Sequence, residues 1–162
     1  MIEAARPAMI HELDQIVELI QLAYREAASA RGGPVFLRRE ARPLPPEDGL
    51  EDLLDSEDSA VMVGTIDNAI VGYGVVAVET LRDGGRLAVV EDIYVRQEAR
   101  EVGVGQALLA ALADWSRDQG CFAIDALVLP GDRASKNFFE GQGMTTRALV
   151  VHRALDSMGE GA

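Results

Sequence analysis

The chain has 162 residues, the length of a single domain with a core large enough to fold unaided. With 48% hydrophobic and 26% charged residues, and no apolar run of the roughly 18 residues a bilayer span needs, it is composed as a soluble globular protein. Its net charge of −12 repels polyphosphate backbones and argues against general nucleic-acid binding, while a single cysteine, Cys121, excludes an internal disulfide. The N-terminus MIEAARPA lacks the basic-then-apolar order of a signal peptide, which together with the lone cysteine points to a cytoplasmic protein.

In chain order, a short strand is expected at Ile2–Ala5. His11–Ala30 then repeats Leu13, Ile16, Val17, Ile20, Leu22, Ala23 and Ala27 at helical spacing, an amphipathic helix. Gly32, Gly33 and four of the six prolines interrupt the stretch from about 31 to 46, which reads as a mobile or irregular connection. Between Glu47 and Asp58 lie seven carboxylates and no basic side chain; Leu50, Leu53 and Leu54 make this a short acidic helix, and without it the chain carries only −5. Val61–Ile66 and Ala69–Glu79 flank Asp67-Asn68 as a β-hairpin. A third strand, Leu87–Val95, follows the turn at Arg82–Gly85. Val104–Gln119 is the clearest helix, with Val104, Ala107, Leu108, Ala111, Leu112 and Trp115 on one face and Gly120 as its stop. A strand over Phe122–Leu129, a helix over Arg133–Glu140 and a final strand over Thr145–Leu155 complete the order. The class is α/β (α+β): a mixed, largely antiparallel sheet flanked by helices. Residues 1–156 are expected to form one domain, with 157–162 a flexible tail.

The informative junction is VEDIYVRQEAREVGVGQALLAALADW. A β-rich run ends at Val95, a loop carries Arg100, Gly103 and Gly105, and a helix begins at once. Free amides at a helix start attract anions, and glycines let a phosphate come close to the backbone. The same glycines could merely end a strand and start a helix. The pattern is neither a P-loop nor the G-x-G-x-x-G dinucleotide fingerprint. Glu91 and Asp92 interrupt the apolar strand, and alternation places them on opposite faces. One is then solvent-facing and the other ion-paired, or one of them works as a base.

The run Arg100-Glu101-Val102-Gly103-Val104-Gly105 resembles the acetyl-CoA loop of the Gcn5-related N-acetyltransferases, Arg/Gln-x-x-Gly-x-Gly/Ala. A second family segment is similar to Asp132–Met144, beginning 27 residues after Gly105. Val90–Val95 looks most like the branch that acetylates polyamines and similar small amines. The resemblance implies acetyl-CoA as co-substrate, a primary amine as acceptor (a small amine or a protein amino group) and no metal. It implies that the backbone of Ile93, Tyr94 and Val95 faces the pantetheine arm and the acetyl carbonyl. Arg100, Glu101, Val102, Gly103, Val104, Gly105 and Gln106 would hold the pyrophosphate, and Asn137, on a helix with Phe139, would flank the rest of the coenzyme. A homodimer is compatible with it; the net charge argues against a nucleic-acid partner and the lack of a long apolar run against a membrane one.

Acetylation needs a neutral amine, and an alkyl amine of pKa about 10.4 resists deprotonation at pH 7 by roughly 4.6 kcal/mol. A carboxylate acting directly or through a water can take the proton. Glu91 stands where the resembling branch has its acidic base; Asp92 is the alternative. Phe139 departs from the family's usual Tyr, whose hydroxyl protonates the leaving thiolate. Tyr94, Ser135 or a water could substitute, the thiolate could leave unaided, or the protein could be a non-catalytic acyl-CoA-binding module or sensor. Asp132 in place of the family's Asn and Glu101 beside Arg100 add negative charge near the phosphate loop. The acidic segment 47–58 either gathers a cationic amine or is a solvated face. Cys121, Trp115, Met9 and Met62 read as packing residues, and His11 and His152 have no nucleophile beside them.

Overall fold

The computed structural model describes residues 1–43 and 47–156. In chain order its elements are β1 (Glu3–Pro7), α1 (Leu13–Ala28), α2 (Gly33–Arg39), α3 (Glu47–Asp55), β2 (Ser59–Ile66), β3 (Ala69–Thr80), β4 (Arg86–Val95), α4 (Val104–Asp118), β5 (Ala123–Ala126) and α5 (Arg133–Gly141). Single 3-10 turns occur at Ile10–Glu12 and Gln97–Ala99. The strands form one sheet in the order β1-β2-β3-β4-β5, antiparallel except for the parallel pair β4–β5. This is the mixed, largely antiparallel architecture the sequence implies. The chain forms two compact units: Met1–Ala23 with Pro43–Leu127, and Tyr24–Arg42 with the chain from Val128 onward.

In the first unit, α4 lies across one face of the sheet against β1 to β4. Its Val104, Leu108 and Leu112 are at most 1% exposed, and burying each contributes about 1.5–3 kcal/mol. The approach is close because the sheet presents glycine. A Cβ at Gly64 would lie 2.6 Å from Val104 Cγ1, and one at Gly74 would lie 2.9 Å from Leu112 Cδ1. On the opposite face Val61, Val63, Tyr73 and Val75 are buried, as are Ile16, Leu19 and Ile20 of α1 and Leu50 of α3. The β2–β3 hairpin turns at Asp67 and Asn68, both at positive φ, as a two-residue turn matched to strand twist requires. Asp67 also accepts the Ile2 N–H through Oδ1 at 2.7 Å, fixing β1 beside it.

In the second unit the stretch expected to be irregular contains a helix. Pro34 sits in the first turn of α2, where its missing N–H removes no hydrogen bond, so proline here permits the helix rather than breaking it. Gly33 is obligatory: a Cβ there would fall 1.7 Å from the Ala27 carbonyl oxygen. Tyr24 meets Phe36 edge-on at 6.4 Å, and its hydroxyl accepts the Arg42 N–H at 2.6 Å. The remainder of the expected connection, residues 44–46, lies outside the described residues, as does the tail 157–162.

Two further expectations are corrected. The strand expected over Phe122–Leu129 is a strand only at Ala123–Ala126. The final strand expected over Thr145–Leu155 is neither strand nor helix, so His152 is not on a strand. Alternating apolar character supplies a strand's faces but not its ladder, which depends on a neighbour the pattern does not encode.

Candidate functional site

The site is built on the second half of β4. Val75 pairs with Asp92 and Val76 with Val90, so Glu91 is an extra residue in β4 and the strand bulges there. Every side chain beyond the bulge changes face. Ala88 and Val90 precede it in the core beneath α4; Ile93 and Val95 rejoin that core after it. Asp92 and Tyr94 consequently face the Tyr73 side of the sheet, where the Tyr73 hydroxyl donates to Asp92 Oδ2 at 2.8 Å. Glu91 is exposed and Asp92 half-buried. Simple alternation across Glu91 and Asp92, as read from the sequence, therefore does not hold through this point. The β4–β5 ladder ends at Val90↔Ala126, while β4 continues to Val95.

The chain then passes through Arg96 and a 3-10 turn into the loop. Arg100 links strand and loop: its Nε–H donates to the Val95 carbonyl at 2.8 Å, and its guanidinium lies 5.2 Å above the Tyr94 ring. Glu101 adopts φ +67° and Gly103 φ +99°, so the loop turns through two left-handed positions. Gly103 is the N-cap of α4 and provides no side-chain cap. The first intrahelical bond runs from Ala107 N–H to Gly103 O at 3.0 Å, leaving the amides of Val104, Gly105 and Gln106 ahead of the helical ladder. An N-terminus in this state favours an anion through both its amides and the helix dipole. Glu3 stands close by; a Cβ built at Gly103 would lie 3.2 Å from Glu3 Cγ. The junction thus carries the Glu3 and Glu101 carboxylates as well as the Arg100 cation.

Asn137 and Phe139 belong to α5 in the second unit. Asn137 is exposed and Phe139 is 6% exposed, its ring 5.3 Å from that of Phe138. At the start of α5 Asp132 accepts both the Ser135 N–H at 3.0 Å and the Ser135 hydroxyl at 2.6 Å. The Ser135 hydroxyl is thereby engaged by Asp132.

Sequence reasoning did not single out Tyr73, Glu3 or Glu12. Glu12 is buried at the start of α1, where Arg6 grips both its oxygens at 2.9 and 2.7 Å and the Met9 N–H donates to Oε1 at 2.8 Å. The Arg6 hydrogen bonds outweigh the opposing effect of burial and, with the Met9 amide, hold its pKa at about 2. The spacing 88, 90, 93, 95 of apolar residues in β4 is a legible signal for the bulge. Among the described residues no group of three or more His, Cys, Asp or Glu could hold a metal, and no helix is long and apolar enough to cross a membrane.

A strand that outruns its neighbour, an uncapped helix start and a tethering arginine together make a junction suited to an anion. The profile of the acetyltransferase (GNAT) family matches residues 13–144, and the chain belongs to that family, whose co-substrate is acetyl-CoA. The chain is 30% identical over 74 residues to thialysine N-epsilon-acetyltransferase from Bos taurus, a match spanning 46% of this chain and 44% of that relative, less than half of either. It shares its fold with a tetramutant of a Bacillus halodurans protein, with a TM-score of 0.79 and 20% identity, covering 96% of this chain and 100% of the other. It also resembles AAC(6')-Iy in complex with the bisubstrate analogue CoA-S-monomethyl-acetylneamine, with a TM-score of 0.71 and 18% identity over 94% and 97% of the two chains.

Proposed function

We propose that the protein is an acetyl-CoA-dependent N-acetyltransferase acting on a primary amine, with Glu91 as the base. The observation that carries this reading is the bulge, which exposes Glu91 on β4 a few residues before the loop and uncapped helix start. Acetyl-CoA supplies the acetyl group and departs as its thiol. The amides of Val104, Gly105 and Gln106 with Arg100 hold the pyrophosphate, and the backbone of Ile93–Val95 aligns the pantetheine arm and the carbonyl. Glu91 takes the proton from the amine, directly or through a water, as nitrogen bonds to the acetyl carbon. The C–S bond then breaks. A thiolate of pKa about 8.5 leaves without a side-chain acid, which suits a helix bearing Phe139. In this reading residues 1–156 act as one acetyltransferase domain, supported by a family match that extends into both compact units.

The acceptor in this reading is a cationic small amine. The exposed carboxylates Glu51, Asp52 and Asp55 on α3 favour cation collection, as does the partial likeness to a thialysine acetyltransferase. Phe139 favours a second reading, a coenzyme-binding module without turnover. Free-thiol release from acetyl-CoA with a panel of primary amines separates the two. Turnover with at least one amine, and a loss of roughly 10²–10⁴ in kcat for Glu91→Gln with acetyl-CoA affinity preserved, is expected. Tight acetyl-CoA binding with no thiol release from any amine selects the module.

A further inference from the structure

We propose that Tyr73 is a positioning residue for acetyl transfer: its buried hydroxyl holds Asp92 on the far face of β4 and thereby keeps the bulge that presents Glu91. The inference rests on the role given to Glu91 above.

Tyr73 is the largest fully buried side chain of the described residues, at 1% exposure. A phenol at that depth needs a hydrogen-bond partner, and it donates to Asp92 Oδ2 at 2.8 Å. The two residues belong to different strands and are not register partners. Tyr73 pairs with Tyr94 and Asp92 with Val75, so the bond crosses the ladder diagonally on one face.

That geometry exists only because β4 bulges. Without the extra residue, Asp92 would follow Val90 onto the α4 face, among Val76, Leu108 and Leu112. An ionised carboxylate in that apolar layer is strongly unfavourable. Ile93 and Val95 would in exchange leave the core. Two terms therefore select the bulged register: apolar burial of Ile93 and Val95 beneath α4, and the hydrogen bond that receives Asp92 on the other side. The first acts on the strand beyond the bulge, the second one residue from Glu91. The hydroxyl of Tyr73 is thus the local determinant of where the Glu91 backbone leaves the ladder. Asp92, with one oxygen committed to this bond, serves as the anchor, and Glu91 is the exposed carboxylate at the bulge.

The test uses four full-length proteins, wild type, Tyr73→Phe, Glu91→Gln and the double variant, assayed by thiol release from acetyl-CoA with spermidine, lysine, thialysine and neamine as acceptors. Tyr73→Phe removes one oxygen and keeps the ring. It is expected to lower kcat about tenfold while KM for acetyl-CoA moves less than twofold, because the loop and α4 are untouched. In the double variant the kcat loss is expected to equal that of Glu91→Gln alone, since a positioning residue has nothing left to position. Backbone amide exchange at Val90–Ile93, which needs no acceptor, is expected to quicken at least tenfold in Tyr73→Phe. Unchanged kcat or unchanged exchange in that variant overturns the proposal, even where the melting temperature falls. Additive losses in the double variant overturn it while leaving Glu91 as the base. A Glu91→Gln enzyme as fast as wild type overturns the Glu91 assignment and this proposal with it.

Discussion

The starts of α1, α4 and α5 all lie beside acidic residues, yet only two of the three are closed. At α5 the Asp132 side chain takes the Ser135 amide and hydroxyl. Ahead of α1 Glu12 folds back onto the Met9 amide and is itself clamped by Arg6. At α4 the N-cap is Gly103, which has no side chain to offer, and the amides of Val104–Gln106 precede the helical ladder. A side-chain cap contributes typically about 1 kcal/mol of stability. Omitting it at the most deeply packed helix of the first unit leaves a place for an anion. The difference separates helix starts that serve the fold from the one that, under the proposed function, serves the coenzyme.

The comparison breaks most readily at Gly103. Valine there must adopt φ near +99° and meet Glu3 within 3.2 Å, and it places a branched side chain beside the amides. Affinity for acetyl-CoA by calorimetry should fall at least tenfold. Because strain contributes to that effect, Arg100→Gln is the companion variant: its backbone is free of the positive φ, and a loss of about tenfold in affinity is again expected.

The Arg6–Glu12 clamp predicts a pH dependence of stability. Glu12 titrates near 2 in the folded chain and near 4.5 when unfolded. Its contribution is therefore complete above about pH 5 and disappears as the pH falls through 4.5 toward 2. Arg6 is 37% exposed, so the full contribution is about 1–3 kcal/mol rather than the upper end alone. Glu12→Gln should lower stability to urea by that amount at pH 7 and by little at pH 2.5. Equal losses at both pH values would show that the carboxylate's charge is not what matters. Asp132→Ala sharpens the contrast with the smallest effect. About 1 kcal/mol of stability should go, and acetyl-CoA affinity should hold.

Much of this was legible beforehand. Helical period gave α1 and α4 to within a few residues, and Asp67-Asn68 marked its turn because few other residue pairs accept two positive φ values. The loop motif, read through its family resemblance, located the uncapped α4 start. What escaped had its cause elsewhere in the chain. Proline and glycine at 32–34 concealed α2, since a first-turn proline and a last-turn proline look alike without the neighbouring helix. The bulge was written in the spacing of Ala88, Val90, Ile93 and Val95, but period-2 reasoning smooths over one extra residue. Tyr73 could not be found from sequence, because its meaning is a diagonal contact to a strand 19 residues away.

The most direct test of the account is an amide-resolved NMR titration of the labelled protein with acetyl-CoA. Saturable binding with its largest shifts at Val104, Gly105 and Gln106, weakened at least tenfold by Gly103→Val, is the result predicted. Saturable binding that leaves those three amides unmoved, or no binding at millimolar acetyl-CoA, would contradict it.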